Sequence, residues 1–111
     1  MDSLEWLENW YHKHCAYDGA GWEHFYGIHL ETLDNPGWHL KIDLLYTELE
    51  KPFVPIKMER SDTDWIYCKV EKPIVNEKLS LPEHKGIFDG HCGAQNLREL
   101  IEIFRNWVES E

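Results

Sequence analysis

The chain has 111 residues, with 21 Asp and Glu against 11 Lys and Arg and a formal net charge of -10 at pH 7. That length suits one domain, residues 1–111, and 42% hydrophobic content with six Trp allows its core to be dense. The acidic balance argues against nucleic acid and anionic membranes as partners, because affinity for both comes from clustered Lys and Arg, and it favours a basic protein instead.

Asp2 followed by Glu5 has capping-box spacing, and Leu4, Leu7, Tyr11 and His14 recur at helical intervals, with Trp6 and Trp10 widening the stripe. The pattern predicts a first helix from about Ser3 to Cys15, stopped by Asp18-Gly19-Ala20-Gly21. Phe25 to Leu33 then alternates, with Tyr26, Ile28 and Leu30 on one side and His29 and Glu31 on the other, as a half-buried strand does. Asp34-Asn35-Pro36-Gly37 has turn chemistry: Asp and Asn bond the local backbone, Pro presets its φ, and Gly tolerates positive φ. The hairpin it closes returns with Trp38, Leu40, Ile42 and Leu44 inward and His39, Lys41 and Asp43 outward.

Pro52 and Pro55 confine Val54 to Glu59 to a sheet edge, Ser61-Asp62-Thr63-Asp64 turns the chain, and Trp65 to Glu71 reads as a fourth strand. Between Lys72 and Gly93 the residues Pro73, Pro82, Gly86, Gly90 and Gly93 break any period, leaving Ile87 and Phe88 as a short edge strand at most. Asn96 as cap, Glu99 three residues later, and a stripe of Leu97, Leu100, Ile101, Phe104 and Val108 predict a second helix ending near Trp107 or Val108. The expected fold is α+β: an antiparallel sheet of four to five strands covered on one face by N- and C-terminal helices.

Chemistry is harder to find. No apolar run approaches the roughly 20 residues that cross a bilayer, and the acidic start lacks the positive region of a secretory signal, so a cytoplasmic protein is expected. His12 and His14 stand two apart and point to different helix faces, although Cys15 could share a face with His12; without a second half, neither a metal nor a cofactor is expected. Cys15, Cys68 and Cys92 form no CxxC pair and read as reduced thiols. Cys92, beside His91 and ahead of the last helix, is the best candidate for a reactive thiolate, so a thiol-dependent or sulfur-transfer enzyme is one alternative. A structural subunit of a larger assembly is another. No nucleophile elbow, phosphate loop, dinucleotide fingerprint or HExxH helix is present, and no catalytic residue is expected.

Trp10-Tyr11, the Cys15 to Gly21 region, Trp22-Glu23-His24, Tyr26-Gly27-Ile28, Thr32-Leu33-Asp34-Asn35-Pro36-Gly37-Trp38, Ile42-Asp43-Leu44, Asp64-Trp65 and the closing Asn96-Leu97 to Phe104 with Trp107 resemble the immunity protein 53 family. The likeness spans nearly the whole chain and is least clear from Lys72 to Gly93, while Tyr17 and Ala20 depart from the family's stretch between Cys15 and Trp22. The resemblance implies a bacterial protein, encoded beside a polymorphic toxin, that protects its producer by binding that toxin rather than by catalysis. Its expected partner is a cognate protein toxin of basic character, with no nucleic acid and no membrane, and its expected state is a monomer or a weak homodimer. Trp22, Glu23, His24, Asp34, Asn35, Trp38, Asp43 and Asp64, where aromatic and polar residues crowd a strand and a hairpin, are the expected toxin-binding residues.

Overall fold

The computed structural model describes residues 1–15, 22–25, 27–44, 47–49, 51–71 and 86–110, with the side chains of His24 and Phe25 outside that description. The expected helix stop at Asp18 to Gly21, the inward Tyr26 and the stretch from Lys72 to Lys85 lie outside the described residues.

The first helix, α1 (Ser3–His14), starts where expected: the Asp2 carboxylate accepts from Glu5 N at 2.8 Å, satisfying one of the orphan donors of the first turn. Its buried face differs from the expected one. Ser3, Leu7, Trp10 and His14 point inward, whereas Leu4 and Tyr11 are exposed. Polar residues can take inward positions here because each finds a partner: Ser3 Oγ donates to Glu102, and the His14 ring bridges the Trp10 carbonyl and the Glu48 carboxylate.

A one-turn helix, α2 (Trp22–Phe25), precedes β1 (Ile28–Leu33), so the first strand begins later than Phe25. Gly27 joins them at φ +68°, a conformation that suits glycine. Then come β2 (Gly37–Asp43), β3 (Ile56–Glu59), β4 (Trp65–Glu71), β5 (Ile87–Gly93) and α3 (Leu97–Glu109). The five strands form one antiparallel sheet in the order β1-β2-β5-β4-β3.

The expectation for Ile87 and Phe88 was incomplete. They begin a seven-residue strand that occupies the centre of the sheet, not its edge. Its glycines, which read as breakers, are required by packing. A Cβ at Gly90 would lie 2.7 Å from Leu100 Cδ1, and one at Gly93 would lie 2.6 Å from Asn96 Oδ1 and nearer still to the Thr63 carbonyl oxygen. Helix α3 and the β3–β4 turn can therefore approach β5 as closely as they do only over bare backbone.

Helix α3 lies on β5 and α1 packs on α3, giving two helices on one face of the sheet. Between them Phe104, fully buried, sits edge-on to Phe88 and Trp10 at centroid distances of 5.0 and 5.1 Å. Leu40, Ile42, Ile66, Phe88, Cys92, Leu100 and Trp22 complete a core in which each large side chain contributes about 1.5–3 kcal/mol of burial. Leu30 faces the same way as Leu40 but stays 46% exposed, because β1 is the edge beyond the helices' cover. Three indole N–H groups tie irregular segments to this frame: Trp22 to the Asp43 carbonyl, Trp38 to that of Ala94 and Trp107 to that of Pro52, at 2.9–3.0 Å.

Candidate functional site

Among the described residues, both helices lie on one face of the sheet and none covers the opposite face. On it, side chains from neighbouring strands align in rows, one of which runs Glu31, His39, His91, Tyr67, Lys57 from β1 to β3. The His39 and His91 rings stack at 4.0 Å with 14° between planes. Asp89, two residues before His91 on the same face, lies 2.6 Å from His39 Nε2, while Glu31 lies 3.2 Å from His39 Nδ1. Burial, with the neighbouring His39 ring second, lowers the His91 pKa below the usual histidine value. Sequence spacing hid this cluster because antiparallel register, not proximity along the chain, brings its members together.

At the end of the sheet where β1 turns into β2, three segments converge: the Asp34–Pro36 turn, the Arg60–Asp64 turn and the start of α3. Asn35, Glu59, Arg60, Ser61, Asp62, Trp65 and Tyr67 line a shallow depression of about 520 Å³ there. Arg60 organises its rim. Its guanidinium donates to Asp64 Oδ1 at 2.7 and 2.9 Å and to both Glu99 oxygens at 2.6 and 3.1 Å, joining the β3–β4 turn to the first turn of α3. Arg60 in turn holds the Asp64 and Glu99 carboxyls below their usual range, and Asn96 assists at Asp64. Asn96 stands at the N-cap position but makes no side-chain capping bond; its amide donates to Asp64 at 2.9 Å instead.

The expected binding residues fall into two groups. Asp34, Asn35, Trp38 and Asp64 gather at the turn end, whereas Trp22, Glu23 and Asp43 lie at the other end of β1 and β2, roughly 20 Å away by strand rise. Asp34 and Asn35 are exposed. Trp22 is fully buried and Trp38 is tied to the β5–α3 loop, so both serve the fold; Asp64 is committed to Arg60 and Asn96. The side chain of His24 is outside the described residues. Glu59, Asp62, Trp65 and Tyr67 line the depression but were not among the expected binding residues, although the Ser61-to-Asp64 turn followed by two aromatics was the available signal.

The thiol expectation meets an opposing environment. Cys92 is in β5 rather than at the helix start, its side chain is fully buried, and burial pushes its pKa up to about 11. Strand alternation puts His91 on the other face of the sheet, so neighbours in sequence point apart. His91 does have orienting groups, Asp89 and His39, which adjacency to Cys92 did not reveal.

The described residues thus present a helix-covered antiparallel sheet with an open, polar face and an acidic turn end. The family model for immunity protein 53 matches residues 4–109, and the chain belongs to that family. Membership points to toxin neutralisation in general terms. No curated protein and no solved structure matches the chain significantly.

Proposed function

We infer that this chain neutralises a cognate polymorphic toxin by binding it as one domain, in the cytoplasm of the producing cell, through acidic surface that covers a basic or nucleic-acid-binding surface of the toxin. The observation that carries this reading is the family match over residues 4–109. The net charge of -10 supports it physically, since a field of that sign accelerates encounter with a basic partner and disfavours the phosphates such a partner would otherwise hold.

The contact is centred on the turn end. Asp34, Glu59 and Asp62 are exposed acids there, Asn35 is an exposed donor and acceptor, and Trp65 and Tyr67 provide the amphipathic aromatic area that typically dominates interface energetics. Asp64 supports the same surface by holding the turn. Glu23 and Asp43, at the far end of the sheet, are peripheral to a contact of standard size.

The test is copurification of the toxin domain with the wild type and with two double variants, D34K/D62K and E23K/D43K. The first pair should weaken binding at least tenfold, about 1.4 kcal/mol, and flatten its salt dependence. The second should leave affinity near wild type. Equal affinity in D34K/D62K, or loss only in E23K/D43K, rejects the turn end as the contact.

A further inference from the structure

We propose that His39, Asp89 and His91 form a binding site for a first-row divalent transition-metal ion, with Zn²⁺ the natural probe, on the open face of the sheet. Two imidazoles and a carboxylate are borderline-soft and hard ligands that suit zinc together, and their ligating atoms all lie within 4.8 Å of one another. This inference is independent of where the toxin binds.

The geometry is close to what an ion requires. A four-coordinate zinc ion holds its ligand atoms about 3.3 Å apart. The present separations bracket that value: 2.6 Å from His39 Nε2 to Asp89 Oδ1 and 3.9 Å from His91 Nδ1 to the same oxygen. Rotations of the side chains by less than an ångström at their tips would open the first and close the second. The backbone beneath need not move, because β2 and β5 are paired along their whole length in the middle of the sheet.

The surroundings of His39 resemble those of a histidine that ligates metal. Its second nitrogen, Nδ1, faces Glu31 Oε1 at 3.2 Å, the carboxylate–histidine arrangement that fixes the tautomer and aims the other nitrogen at the ion. Among the described residues access is open, since Asp89 and His91 line a surface groove of about 430 Å³. Lys41 and Lys69 flank Asp89 in register and oppose a cation, while Glu31 and the overall charge of -10 favour one. Three protein ligands leave a further coordination position facing solvent, for water or a group from a bound molecule.

Isothermal titration of the chelator-stripped full chain with ZnCl₂ tests the site, with MgCl₂ as the hard-cation comparison. Uptake of one equivalent of zinc, weakened at least tenfold in both H39N and H91N and unchanged in H12N and H29Q, is the expected result. Glu31→Gln should weaken zinc binding less than loss of a ligand, and Lys69→Gln should tighten it. The Glu31, His39, Lys69 and His91 side chains lie on the open face, and circular dichroism checks that each variant folds. Ring-nitrogen NMR of the wild type stands independent of any variant: zinc should shift the resonances of two histidines only. No saturable zinc uptake, uptake retained in the H39N/H91N double variant, or zinc-induced shifts at other histidines overturns the proposal.

Discussion

Replacing Gly93 with Ala tests whether the turn end is built as described. The new Cβ would stand 2.6 Å from Asn96 Oδ1 and closer still to the Thr63 carbonyl oxygen, where an ordinary C···O contact is about 3.3–3.6 Å. The Thr63 contact is with backbone and cannot be relieved by a rotamer change. The β3–β4 turn would have to withdraw by roughly 1 Å, loosening the Arg60 and Asn96 bonds that fasten it to α3. Overpacking of this kind costs about 1–3 kcal/mol, and the stiffer unfolded chain of an Ala variant returns about 0.4–1 kcal/mol. The expected net loss is about 1.3 kcal/mol, a fall of roughly 5–8 °C in Tm for a chain of this size. Gly27→Ala is the internal comparison: its nearest neighbour would be 3.8 Å away, so only the strain of φ +68° remains, about 1 kcal/mol before the same unfolded-chain return of about 0.4–1 kcal/mol. Urea unfolding followed by Trp fluorescence measures both. G93A as stable as wild type, or more stable than G27A, would refute the close approach of the turn to β5.

Three further outcomes follow from the same packing. Cys68 and Cys92 are buried with pKa values pushed up to about 11, so at pH 8 about one thiol in a thousand is ionised; Ellman's reagent should leave both unmodified until urea is added, and rapid native labelling of Cys92 would contradict its placement. Asp64 and Glu99 have folded pKa values below their reference values of 3.8 and 4.5, so they bind fewer protons folded than unfolded; their contribution is complete above about pH 5 and lost as pH falls through the lowered values. Arg60→Met should remove that acid-dependent portion, and an unchanged profile of stability against pH would deny the clamp. Phe104→Ala should cost about 3–5 kcal/mol by leaving a cavity among Phe88, Trp10 and Trp107, and a loss below about 1 kcal/mol would contradict its central position.

Much of this fold was legible in the residues. The Asp2 cap, the Asp34-to-Gly37 turn, the alternation of Leu40 and Ile42, the strand from Trp65 to Glu71 and the Leu100, Ile101, Phe104 stripe of α3 all follow from local chemistry that the tertiary structure reinforces. Local chemistry failed where tertiary contacts overrode it. Glycine normally weakens a strand, and β5 carries Gly90 and Gly93 because Leu100 and Thr63 need the space a side chain would fill. Ser3 and His14 are polar, yet Glu102 and Glu48 make their inward positions tolerable and rotate the buried face of α1 away from Leu4 and Tyr11.

The site was less legible than the fold for a related reason. The crowded aromatic and polar residues of Trp22 to Asp43 look like one cluster along the chain, but a strand's length separates their ends, and the indoles of Trp22 and Trp38 are spent on internal hydrogen bonds. Conversely, His39 and His91 look unrelated until the β2–β5 register makes them neighbours. A turn recognised from Ser61, Asp62, Thr63 and Asp64 can be predicted locally; its position beside Asn35 cannot, because the sheet order decides it.

The most direct test of the central claim is growth of cells expressing the cognate toxin, with and without this chain, followed by purification of whatever complex forms. Rescue of growth, with a one-to-one complex that weakens as salt rises, is the predicted result. Failure to rescue with no complex formed, or rescue without any physical association, would contradict neutralisation by binding.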